Sequence, residues 1–98
     1  PINKKYIYNI AKRSNEIITI DGRNGAHLPN GTNIKILDTA GNLVYESNIK
    51  EGQQEIGGKI EWNKTNLAGK KVASGIYIVM LIANDNTETA ITKIAIIN

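Results

Sequence analysis

Turn-forming clusters break this chain at short intervals, and that punctuation constrains its fold more than any other feature. DGRNG, LPNG, DTAGN, KEGQQ, NLAG and ANDN supply the Gly, Asn, Asp and Pro that reversals demand. Each offers a positive φ, a fixed φ, or a side chain that bonds its own backbone. The text between them carries no helical periodicity over any window of useful length. It is rich in Ile, Val, Thr and Tyr, which suit a pleated, half-buried surface. Seven strands are predicted, over residues 6–11, 16–21, 32–38, 42–47, 59–62, 76–83 and 89–97, and this spacing points to an all-β chain of two facing antiparallel sheets.

Alternation supplies detail. In TNIKILD, Ile34 and Ile36 share one face, Asn33 and Lys35 the other. Val44 is the expected cross-strand partner once Ala40-Gly41-Asn42 has turned the chain, with Gly41 serving the turn. The run from Ile76 is different because both faces are apolar: Tyr77, Val79 and Leu81 on one, Ile78, Met80 and Ile82 on the other. Such a strand is predicted to sit centrally in its sheet, with a partner domain or loop over its outer face. Gly75 is expected to permit a close approach just before it. Trp62 and Tyr77 occupy the places of the buried Trp and corner-closing Tyr of an immunoglobulin-like, fibronectin III-like sandwich, and Val79 stands where the inter-sheet half-cystine would be. An apolar contact then replaces the sulfur bridge.

Composition narrows the chemistry. With 98 residues, 41% apolar and 21% charged, residues 1–98 are expected to form one domain around a modest core. Net charge is +3, and Lys4, Lys5, Lys12 and Arg13 crowd the start of the chain. An anionic surface partner suits that charge. Nucleic acid does not, because the aromatics fail to alternate with basic residues as a stacking platform needs. The absence of cysteine excludes disulfides, zinc–thiolate sites and thiol catalysis. No stretch is apolar for long enough to be a transmembrane helix, and a start at Pro1 with strand text running almost to Asn98 suggests the C-terminal piece of a longer protein.

Catalysis finds no foothold. His27 is the sole histidine and lies in the DGRNGAHLPNG loop without a nucleophile beside it. The carboxylates form no apolar-flanked pair that could separate an acid from a base. Asn84-Asp85-Asn86 with Glu88 offers oxygen ligands but not a calcium-loop spacing, and is read as a turn. The glycines make no phosphate-cradling loop. No enzyme activity, cofactor or metal is therefore expected.

One ordered set of residues carries a family likeness. Ile34-x-Ile36-x-Asp38-x-x-Gly41-x-Leu43-Val44 is followed by Gly57-Gly58, then by Trp62, Asn66, Gly69, Val72 and Ser74-Gly75-Ile76-Tyr77, and finally by Thr92-Lys93-Ile94. In order and spacing this resembles the C-terminal domains of type IX secretion cargo in Bacteroidota, and among them most those of PorZ-type propeller proteins. The resemblance covers roughly the chain from Ile34 onward. It departs from the family at Tyr8-Asn9-Ile10-Ala11, where a Pro-Asn-Pro element is usual, and at Asn63-Lys64, where Asp-Gly is usual. What it implies is an address without chemistry, read by the outer-membrane translocon and surface attachment machinery, on a protein exported to the cell surface. Ordinary cargo loses this domain and is joined to an anionic lipopolysaccharide; PorZ-type proteins keep it. The recognition residues expected on this reading are Lys93 on an exposed last strand, Lys70 and Lys71 in the following-Trp loop, and Lys12 and Arg13 toward an anionic lipopolysaccharide. The competing reading is a passive structural or adhesive immunoglobulin-like module.

Overall fold

A computed structural model describes residues 2–7, 10–11, 18–22, 28–50, 60–86 and 89–97. Lys12, Arg13, His27, Gly57, Gly58 and Glu88 lie outside the described residues. Those described form an all-β structure, with strands β1 (Ile2–Ile7), β2 (Ile10–Ala11), β3 (Ile18–Gly22), β4 (Asn33–Asp38), β5 (Leu43–Asn48), β6 (Ile60–Trp62), β7 (Gly75–Ile82) and β8 (Thr89–Ile96). They make two sheets, a small one ordered β1-β3-β6 and a large one ordered β2-β8-β7-β4-β5.

Two expectations about the strands need correction. The described residues hold eight strands, not seven, because the predicted strand over 6–11 is two pieces in different sheets. β1 pairs antiparallel with β3, whereas β2 pairs parallel with the end of β8, Ile10 against Ala95 and Ala11 against Ile96. The large sheet is consequently not wholly antiparallel. β2 covers only the Ala95–Ile96 end of β8, and no described strand lies beside Thr89–Ile94 on that side. A chain that changes sheets within a few residues lets one segment close two layers, and nothing but Asn9 marks the change in the sequence.

β7 is central, with β4 on one side and β8 on the other. Its Tyr77, Val79 and Leu81 point inward and are buried, together with Ile34 and Ile36 of β4 and Ile94 and Ile96 of β8. Across from them the small sheet contributes Ile18, Ile20 and Trp62, and the residues of both sheets form one apolar core. Trp62 is buried, its indole Nε1 donates to Thr65 O at 2.8 Å, and it meets Tyr77 edge-on at 6.2 Å and Tyr45 at 6.3 Å between ring centres. These rings lie within the range in which aromatic quadrupoles attract. The Tyr77 hydroxyl donates to Ala73 O at 2.6 Å, which satisfies the polar end of a buried ring.

The β4–β5 hairpin is organised locally. Asp38 Oδ1 accepts from Ala40 N at 3.0 Å and Asn42 N at 2.8 Å, and Oδ2 accepts from Asn42 Nδ2 at 3.1 Å. Gly41 takes a φ of 87° in this turn, a region that costs other L-residues strain. The partner of Ile36 is Tyr45 and that of Leu37 is Leu43, so Val44 is the extra residue of a bulge and not the cross-strand partner expected for it. Gly75 also differs from expectation. A Cβ there would meet nothing within 4 Å, so close approach is not its role. Close approach belongs instead to Gly31, where φ is 81° and a Cβ would fall 2.6 Å from Cγ of Asn84.

Candidate docking surface

The outer face of the large sheet follows from the inner one. Since Tyr77, Val79 and Leu81 turn inward, strand alternation turns Ile76, Ile78 and Met80 outward. Pairing places Met80 between Ile91 of β8 and Lys35 of β4, with Glu46 of β5 beyond, and Ile78 between Lys93 and Leu37, with Leu43 beyond. Two rows therefore cross the sheet, Ile91–Met80–Lys35–Glu46 and Lys93–Ile78–Leu37–Leu43. Ile91 is 51% exposed, Ile76 47% and Leu43 44%, while Ile78, Met80 and Leu37 are half-buried by their neighbours. Scattered surface leucines and isoleucines are ordinary, but a contiguous apolar face on one sheet is not.

Charge on this face is sparse and unevenly matched. Lys35 and Glu46 are cross-strand partners, and Glu46 Oε2 also accepts from Asn33 Nδ2 at 2.8 Å. Lys93 is exposed beside Ile78, and no ion pair reaches it among the described residues. Asp38, at the end of β4, is held in the ionised form. Its carboxyl sits below the usual carboxylate range because the Asn42 backbone and side chain, then the Ala40 and Gly41 N–H groups, hydrogen-bond the ionised form.

Lys70 and Lys71 lie elsewhere, in the loop between β6 and β7. Asn66 organises it: its Oδ1 accepts from Ala68 N at 2.9 Å and Lys70 N at 3.0 Å, and its backbone N–H donates to Lys70 O at 2.8 Å. Leu67 N donates to Val44 O at 3.1 Å, which ties the loop to the bulge at the start of β5. Both lysines are exposed, and Lys71 Nζ donates to Asn63 O at 2.7 Å. Leu67, 63% exposed, stands in the same loop. Because β7 begins, β8 ends and β5 begins at this end of the large sheet, the loop borders the end of the apolar face. The pairing thus sets Lys93 on the face and Lys70 and Lys71 at its border.

Sequence reasoning passed over Lys35 as a recognition candidate. Its signal was the shared outward face of Asn33 and Lys35, but its neighbours Met80 and Glu46 come from strands remote in sequence. Lys64 was noted only as a departure from an Asp-Gly turn. It adopts a φ of 63° and is fully buried, so a long side chain occupies a left-handed position where glycine would be unstrained.

Among the described residues no group of three His, Cys, Asp or Glu side chains could hold a metal ion, and no helix is long and apolar enough to cross a membrane. Residues 84–86 form the turn between β7 and β8, where Asn86 N donates to Ala83 O at 2.9 Å. On this geometry the outer face of the large sheet is suited to contact.

Known structures share the architecture. One, described as PorZ, an essential bacterial surface component of the type-IX secretion system of Porphyromonas gingivalis, superposes with a TM-score of 0.69 at 26% identity. The match covers 96% of this chain but only 12% of that one. A second, CopC from Methylosinus trichosporium OB3b, has a TM-score of 0.50 at 18% identity, covers 95% of this chain and 84% of that one, and shows likeness of fold alone. No curated protein matches the chain. The model of the secretion system C-terminal sorting domain matches residues 12–98, and with nearly the whole chain inside that match, this protein belongs to the family of secretion system C-terminal sorting domains.

Proposed function

We propose that this chain is a non-catalytic recognition domain of type IX secretion, an immunoglobulin-like sandwich that marks a longer exported protein for passage across the outer membrane and assembly at the cell surface. The observation that carries the reading is the family match over residues 12–98, supported by the likeness to PorZ across 96% of the chain. Recognition falls to protein components of the translocon and attachment machinery. Lys93, Lys70 and Lys71 are exposed and would serve such contacts, with an anionic lipopolysaccharide as a further ligand for this basic set and for Lys12 and Arg13. A rigid sandwich suits this task because it presents a fixed surface at little entropic cost on binding.

A passive structural or adhesive module is the second reading. It draws support from the likeness to CopC, which at 18% identity indicates that the same fold occurs without shared sequence, so fold alone does not imply sorting. The two part in one experiment, with residues 1–98 fused to a reporter in a type IX-competent bacterium. Export of the reporter to the surface or medium is expected, and intact or shortened reporter would separate a retained module from a cleaved signal. Retention inside the cell, with the fusion folded, would favour the passive module.

A further inference from the structure

Asn30-Gly31 is a dipeptide with chemistry of its own. Glycine sets no side chain beside its nitrogen, so in a flexible chain the Gly31 nitrogen can reach the carboxamide of Asn30. It attacks Cγ and a C–N bond forms. The Cγ–Nδ2 bond breaks, and the amide nitrogen leaves as ammonia with the proton that Gly31 gives up. Water then opens the five-membered imide. Opening at one carbonyl gives aspartate, and opening at the other gives isoaspartate, whose main chain runs through Cγ and is one carbon longer. No oxidant, metal or enzyme is required.

The fold closes this route at the attacking nitrogen. Gly31 is the third residue of a turn in which Thr32 N donates to Pro29 O at 3.2 Å, and it takes a φ of 81°, as the third position of a type II turn requires. Its N–H, the one that must be given up, donates to Ile49 O at 2.7 Å, and Ile49 N donates in return to Thr32 O at 2.9 Å. These two bonds prolong the β4–β5 ladder beyond the Asn33–Asn48 pair, and both Thr32 and Ile49 are buried. Gly31 also has little room to shift, since even a Cβ would fall 2.6 Å from Cγ of Asn84. Asn30 is itself exposed, so water reaches its side chain and protection falls to the glycine nitrogen. We infer that Asn30-Gly31 is a self-modification site, shut in the folded chain by the Gly31–Ile49 hydrogen bond and open whenever that bond is broken. The isoaspartate product does not fit the folded turn, because an extra main-chain carbon moves Gly31 off Ile49 or into Asn84, whereas aspartate preserves the backbone. Time spent unfolded is thereby recorded as a permanent loss of molecules able to refold.

The test incubates the purified chain in mildly alkaline buffer, folded in one arm and in denaturant in the other. Peptide mapping that separates asparagine, aspartate and isoaspartate follows position 30. Asn24-Gly25, the same dipeptide elsewhere in the sequence, calibrates the denatured arm, where the two sites should convert at similar rates. In the folded arm, conversion at Asn30 is expected to slow by about tenfold or more. Amide hydrogen exchange at Gly31 should slow by the same factor to within about threefold, since both reactions need the same N–H freed. The denatured arm is then returned to native buffer and the refolded molecules are separated from the rest by size-exclusion chromatography. Aspartate at position 30 is expected in the refolded pool and isoaspartate outside it. Less slowing in the folded arm overturns the shut site, as does folded-state conversion faster than Gly31 exchange allows. A denatured chain that converts Asn24 but not Asn30 overturns the site itself. Isoaspartate at position 30 in the refolded pool, with an unchanged Tm, overturns its exclusion from the turn.

Discussion

The two faces of β7 are nearly alike in composition and opposite in consequence. Tyr77, Val79 and Leu81 turn toward Trp62 and the small sheet and are buried, while Ile76, Ile78 and Met80 turn away from it and stay exposed or half-buried. On the inner face hydrophobicity has already been converted into folding free energy. On the outer face it remains available for association. The same kind of side chain thus supports stability on one side and stays open to contact on the other, and the comparison predicts that substitutions on the two faces differ in kind as well as size.

The sharpest contrast is expected at Tyr77. Truncating it to alanine removes a ring packed against Trp62 and the hydroxyl bond to Ala73, and should cost about 3 to 5 kcal/mol by chemical denaturation. A loss below about 1 kcal/mol would mean that the ring makes little difference to the core, and the inner face would lose its special status. Gly31→Ala should come next, at about 2 to 4 kcal/mol, because it adds strain at a left-handed φ to a collision with Asn84. Asn84 lies just beyond β7, so this variant asks how firmly the far end of the strand is held. Recovery of stability in the double variant Gly31→Ala with Asn84→Gly would assign the larger share to the collision.

How much of this was legible in the sequence depends on the range of the contact responsible. DTAGN could be read as a turn because Asp38, Gly41 and Asn42 act on each other across a few bonds. The double apolar face of β7 was equally plain, since alternation along one strand reveals both faces without knowledge of any neighbour. What stayed hidden was set by partners far along the chain. The sheet change between Ile7 and Ile10 depends on where β3 and β8 lie, and the bulge at Val44 goes with a bond from Leu67. For the site, Lys93 stood out from its apolar neighbours in sequence, but its place beside Leu37 and Leu43 required the register of three strands. Lys35 was overlooked for the same reason.

A smaller effect separates the ring of Tyr77 from its hydroxyl. Tyr77→Phe keeps the packing and removes the donor to Ala73 O, which lies on an exposed residue and can turn to water, so a cost of about 1 kcal/mol is expected. The pH dependence is diagnostic. Burial first, and then the negative charge of Asp38, raise the hydroxyl above the usual tyrosine range, which favours the neutral form in the folded state. The unfolded chain therefore ionises first, and the stability associated with this group is present below about pH 10 and lost as pH climbs toward the folded value. Tyr77→Phe should remove that alkaline component. An unchanged slope of stability against pH above pH 10 would mean that the hydroxyl is not shielded as described.

The least effect on stability is expected where the consequence for association is greatest. Ile91 is 51% exposed and pairs with Met80 on the outer face, so Ile91→Ser gives up little buried area and should change stability by no more than about 0.5 kcal/mol. Equal apolarity on the two faces would otherwise suggest equal cost, and this variant separates composition from burial as the cause. A loss above about 1.5 kcal/mol, comparable with truncations in the interior, would mean that the chain itself covers the outer face. The difference between the two faces of β7 would then vanish, and with it the reason for seeking a partner there.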